Sequence, residues 1–203
     1  MAEVTINKMM KLSEHLALPS EAALNHLSEL NGLRLSPHFT LGELTKTSVK
    51  GIDNTPTHAA VLNLKNLCEN WLEELRQRYN KLYVLTHVAT REGQTPCTSH
   101  TGASPCVSQE EPLLINSGFR SEAVNKAIGG VKGSNHLTGC AVDIRVTGIE
   151  QVIRYACILL DIADESKRDY DELLIERSPK GTYWLHFAVR PSGNRKKVRF
   201  IQT

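Results

Sequence analysis

The sequence has no continuous apolar stretch of the kind that opens a secretory signal, and no run long enough to span a membrane. A soluble product made in the cytoplasm is therefore expected. It has no strong charge of either sign: 24 Lys and Arg against 22 Asp and Glu give a formal net charge of +2, too small to imply nucleic-acid binding. It has no C-x-x-C pair. Its cysteines are odd in number (Cys68, Cys97, Cys106, Cys140 and Cys157), which fits neither a disulfide framework nor a zinc ribbon, so reduced thiols are the default.

What is present is an ordinary globular composition, 40% hydrophobic and 23% charged over 203 residues. That length builds one domain with an extension and buries a core without structural metal. Any metal implied by the residues is then expected to act in chemistry rather than in folding. The positive charge gathers at the end of the chain, in Arg190, Arg195, Lys196, Lys197 and Arg199. One reading is a solvated terminal strand and turn. The other is a docking patch for an anionic cell-envelope polymer.

Apolar spacing predicts two helices over residues 4–31, divided at Pro19-Ser20 and closed by Asn31-Gly32, so 1–37 read as a helical extension. A domain spanning 38–203 follows. It opens on a short capped helix at Phe39–Leu44 and a turn-rich loop at Gly51–Pro56. An amphipathic helix then covers 57–79, with Cys68 and Trp71 on its apolar stripe as core residues. Residues 87–112 turn to Thr, Ser, Gly and Pro and read as a long loop insertion. Within it His87, Cys97, His100 and Cys106 offer a second metal site or one disulfide, although their spacing matches no common ligand pattern.

Beyond the loop, Leu113–Gly118 predicts a buried strand running into a turn, and 122–128 a short helix ended by Gly129-Gly130. Ala141–Val146 alternates, with Val142, Ile144 and Val146 on one face and Ala141, Asp143 and Arg145 on the other. A helix over 149–163 precedes a hairpin of 173–176 and 183–187.

Three polar residues sit where their surroundings favour apolar ones. His136 lies in a turn before a buried strand, Asp143 is in the middle of Ala-Val-Asp-Ile-Arg-Val, and His186 is at the centre of Tyr-Trp-Leu-His-Phe-Ala-Val. A free carboxylate is costly to bury. One divalent cation accounts for all three, since two imidazoles and a carboxylate leave the fourth tetrahedral position open, as in catalytic zinc sites. The plainer alternative is a hydrogen-bonded core histidine, with Asp143 paired to Arg145 or Arg120.

The motif Ser117-Gly118-Phe119-Arg120-Ser121, followed by Asn125, Gly129-Gly130, Ser134, His136, Gly139, Ala141 and Asp143 and a distant Trp184-Leu185-His186, resembles the D-alanyl-D-alanine carboxypeptidase-like zinc peptidases. That family includes phage endolysins and shares a fold with Hedgehog and lysostaphin-type domains. The similarity also takes in Phe39–Leu44 and Asp53-Asn54-Thr55-Pro56. It implies an α+β fold, a small mainly antiparallel sheet with flanking helices. It implies zinc held by His136, Asp143 and His186, and a peptidoglycan stem peptide as substrate. Arg120 would bind a substrate carboxylate or the oxyanion, with Ser117, Ser134 and Trp184 also at the substrate. The activity implied is D-Ala-D-Ala carboxypeptidase or endolysin-type endopeptidase, released to the cell wall after synthesis. The alternative is an inactive zinc-stabilised binding or phage structural module on the same fold.

The sequence departs from the family pattern at the general base. Relatives place an acid or histidine two or three positions before the last ligand, where this chain has Trp184 and Tyr183. Glu176, which closes the preceding strand, resembles the glutamate of phage-type members. It can face the metal only if the hairpin pairs it with Trp184, because a slip of one residue turns every side chain over.

Overall fold

The computed structural model describes residues 31–89 and 110–203. The proposed helices over 4–31 lie outside the described residues apart from the Asn31-Gly32 turn, as do Cys97, His100 and Cys106. The described cysteines Cys68, Cys140 and Cys157 are free thiols. Among the described residues no helix is long and apolar enough to cross a membrane.

Helix α1 (Leu41–Leu44) starts at Thr40, whose hydroxyl accepts from Glu43 N. Helix α2 (His58–Leu67) starts at Thr57 in the same way and runs through a π-helical turn, Cys68–Leu72, into α3 (Glu73–Ala89). The wide turn keeps Cys68, Trp71 and Leu72 all in the core. Helix α3 continues ten residues beyond the expected end at 79, so residues 87–89, expected to open the loop, are helical. Asn80 marks where the pattern misleads. Its amide lies within the helix and clasps the far end of the insertion, donating to Glu111 O at 3.2 Å and accepting from Glu111 N at 2.8 Å.

Strand β1 (Ile115–Ser117), helix α4 (Glu122–Ala127), a 3-10 turn (Asn135–Thr138) and β2 (Ala141–Arg145) follow. Next come α5 (Ile149–Ser166), β3 (Glu172–Arg177), β4 (Tyr183–Ala188) and β5 (Lys197–Gln202). The sheet order is β1-β2-β4-β3-β5, with every pair antiparallel except β3 and β5. The fold is thus α+β with a mainly antiparallel sheet and flanking helices, as the resemblance implies. The first strand differs from expectation. It is a three-residue edge with an irregular register, only part-buried, because Ile115–Ser117 has a neighbour on one side alone.

The sheet divides its labour by alternation. Val142, Ile144, Leu173, Leu185 and Phe187 point to a core closed by α3, α5 and the π turn, where the rings of Phe187 and Trp71 lie 5.1 Å apart. Asp143, His186 and Glu176 point to the other face.

The terminal basic residues fold back on acids. Arg195 and Arg190 meet Asp171, Lys196 meets Asp169, and Lys197 meets Glu172. Arg199 is left as the one of the five without a carboxylate partner among the described residues. Asp171 is fully buried and also accepts from the Arg195 backbone, so it organises the crossover that lays β5 parallel to β3.

Candidate metal centre

His136 stands in the 3-10 turn, and its own N–H donates to the capping Ser134 hydroxyl. Its ring is 2% exposed, and Nδ1 lies 2.6 Å from Gly118 O. A carbonyl can only accept, so the proton sits on Nδ1 and Nε2 presents a lone pair. Gly118 makes this possible, because a Cβ there would overlap Leu44 O. Asp143 and His186 are direct partners across β2 and β4.

Their atoms converge. His136 Nε2 is 3.2 Å from Asp143 Oδ1 and 3.2 Å from His186 Nδ1, which is itself 2.9 Å from the same carboxylate oxygen. Two ring nitrogens and a carboxylate oxygen facing one another form a cluster that a proton on His186 Nδ1 or a metal ion can satisfy. The separations also suit a metal: ligands at about 2.0–2.1 Å from a tetrahedral zinc lie roughly 3.3 Å from each other. The residues present therefore fit zinc, and among the described residues they form the group of His, Cys, Asp and Glu able to hold an ion.

Without the metal, a proton takes its place. Burial works against the charged imidazole of His186, yet Asp143 and Glu172 push it up to about 9. Burial likewise opposes the Asp143 charge, but the His136 and His186 rings hold its carboxyl well below the usual carboxylate range.

Arg120 donates from Nη2 to Asp143 Oδ2 and from Nε to Ser117 Oγ at 2.8 Å. The alternative pairing of Asp143 with Arg120 is thus realised beside the triad rather than in place of it. Two of five guanidinium N–H groups are used, leaving three. Buried Asn54 fixes the backbone on both sides of Arg120, donating to Phe119 O and Thr45 O and accepting from Ser121 N. The resemblance included Asn54 without assigning it this task.

Glu176 pairs with Trp184, and Arg177 with Tyr183. The Ser178 N–H donates to Thr182 O at 2.9 Å, leaving Pro179-Lys180-Gly181 as a three-residue turn with Gly181 at φ +87°. This is the register that puts Glu176 on the His186 face. Burial raises the Glu176 carboxyl, and the Asp143 charge adds to that, against His186 and Arg120. Trp184 shares the face, opposite Arg145 as well as Glu176. Ser117 and Ser134 are brought to the site as supports of Arg120 and of the His136 turn.

Sequence reasoning missed Glu172 and Asn135. Glu172 Oε2 lies 3.7 Å from His186 Nε2, and it takes bonds from Lys197 at 2.8 Å and Asn135 at 3.1 Å. His186 beside it, then Lys197, hold this carboxyl down at about 2 against burial. The available signal was parity: 172, 174 and 176 share one strand face.

No curated protein matches the chain. Over residues 108–159 the chain matches the Peptidase M15 family. The segment carries Arg120, His136 and Asp143, while His186 and Glu176 join them through the sheet. This partial-domain match supports placing the chain with the zinc D-Ala-D-Ala carboxypeptidase-like peptidases of the M15 family.

Proposed function

We propose that the protein is a zinc metallopeptidase that hydrolyses a peptide bond in the stem peptide of bacterial peptidoglycan. The observation that carries this is the convergence of His136 Nε2, His186 Nδ1 and Asp143 Oδ1 on one point, with Glu176 on the same sheet face. Zinc bound there supplies Lewis acidity to the scissile carbonyl and acidifies the attacking water. Glu176 takes the proton of that water and returns it to the leaving amine, a task suited to a carboxyl that burial raises above its ordinary pKa. Arg120, fixed by Ser117, Asp143 and Asn54, turns its remaining N–H groups to a substrate carboxylate or to the developing oxyanion. Trp184 walls the substrate on the Glu176 side. Both a D-Ala-D-Ala carboxypeptidase and an endolysin-type endopeptidase use this chemistry.

A second reading is a zinc-stabilised binding module, favoured by Tyr183 and Trp184 at the positions where relatives carry an acid. Incubation with purified peptidoglycan separates the two. Release of new amino groups that stops with a chelator and in Glu176→Gln supports the peptidase. Stoichiometric zinc with no release from any peptidoglycan type supports the binding module.

A further inference from the structure

Behind the metal centre, on the side away from Asp143, His186 Nε2 is buried and has no hydrogen-bond partner among the described residues. The residue is 7% exposed, so solvent does not complete it. Glu172 Oε2 lies 3.7 Å from it, two positions before the strand partner of His186 and on the same face. Opposite Glu172 in the ladder stands Ala188.

The carboxylate is itself held. Lys197 Nζ at 2.8 Å and Arg195 Nη2 at 3.0 Å grip Oε1, and Asn135 Nδ2 at 3.1 Å meets Oε2. Asn135 is also tied to Asp171 at 2.8 Å, and it is the residue before His136 in the 3-10 turn. One polar cluster therefore touches the supports of both histidines. A ring that binds metal through Nδ1 must carry its proton on Nε2, and a carboxylate waiting at Nε2 selects that tautomer and aims the ring.

We infer that Glu172 is the positioning residue of the metal centre, accepting from His186 Nε2–H so that Nδ1 presents its lone pair, while Asn135 links it to the turn carrying His136. This rests on the zinc reading for its purpose but not for the contact itself. Glu172 touches neither substrate nor metal. It acts through His186, as Gly118 O acts through His136.

The test uses the full chain with Glu172→Ala and Glu172→Gln. Zinc affinity is read by competition with a chelator of known strength, and nitrogen-15 NMR of the imidazoles reads the tautomer in metal-free and zinc-loaded protein. Wild type is expected to show a protected His186 Nε2–H signal in both states. Glu172→Ala should lose that signal and bind zinc about tenfold to a hundredfold more weakly. Glu172→Gln, which keeps an acceptor oxygen and the side-chain length, should keep the signal with a smaller loss of affinity. If Glu172 merely held β5, both variants would lower the unfolding midpoint and leave signal and affinity unchanged, which overturns the inference. Loss of the Nε2–H signal in Glu172→Ala, in a protein that binds no zinc even as wild type, would sink the metallopeptidase reading and leave the contact standing.

Discussion

Asp171→Asn tests how the buried charge next to the metal centre supports the fold. Asp171 is fully buried and receives four bonds: Arg195 Nε at 2.8 Å, Arg195 Nη2 at 2.6 Å, Arg195 N at 3.2 Å and Asn135 Nδ2 at 2.8 Å. Removing one partner of a fully buried ion pair costs about 3–5 kcal/mol. Here the Arg195 side chain is 49% exposed, so it regains hydration once freed, and the lower part of the range is discounted further. The asparagine keeps one acceptor oxygen but turns an NH2 group toward the guanidinium. About 2 kcal/mol at pH 7 is expected, a fall of roughly 4–8 °C in Tm for a domain of this size.

The pH dependence gives the sharper test. Burial pushes the Asp171 carboxyl up, but Arg195 and Asn135 outweigh it and leave it below its ordinary value. A depressed carboxylate contributes stability that is complete above its unfolded pKa of about 3.9 and is lost as pH falls through the folded value. Asparagine has no proton to gain. The gap between wild type and Asp171→Asn should therefore be full at pH 7 and shrink below about pH 4. Urea unfolding of chelator-treated protein at pH 7, 5 and 3 measures it. A variant as stable as wild type at pH 7, or a gap unchanged at pH 3, refutes the reasoning.

Glu176→Gln should lower kcat by about 10²–10⁴ with zinc content intact by elemental analysis. Parallel loss of zinc would instead make Glu176 a ligand. Gly118→Ala drives a methyl group into Leu44 O and should cost about 2 kcal/mol or more in urea unfolding, with weaker zinc binding because the His136 acceptor shifts. The metal-free protein should lose stability as pH rises from about 6.5 through 9, since His186 is raised to about 9 when folded. Zinc must displace that proton, so zinc affinity should climb about tenfold per pH unit below 9, and a flat titration would contradict the site's electrostatics.

The site was legible where a polar residue broke an apolar pattern. Asp143 among Val142 and Ile144, and His186 among Leu185 and Phe187, declare the strand face that is not core. The hairpin condition on Glu176 was also readable, because side-chain alternation allows only two answers, and the structure has the one that pairs Glu176 with Trp184. Less could be read of residues whose partners are distant in sequence. Asn80 lies just past the expected helix end and gains its partner only when Glu111 is beside it, while Asp171-Glu172, outside the expected strand, acquire theirs only when Arg195 and Lys197 return. The ion pairs of the basic tail were hidden for the same reason, since Arg190, Arg195, Lys196 and Lys197 meet acids 19–27 positions earlier.

The two faces of the sheet connect packing to chemistry. Asp143 and His186 are paired strand residues, so their spacing is set by the ladder between β2 and β4. Val142, Ile144, Leu185 and Phe187 lock that ladder into the core on the reverse side. His136 comes from a turn, outside the sheet, and owes its place to Gly118 O, Ser134 and the Asn135 link. A ligand set with two members on a rigid sheet and one on a tethered turn yields at the turn first. Loosening the Asn135 link should thus lower metal affinity before it lowers stability, whereas truncating Phe187 should lower both together.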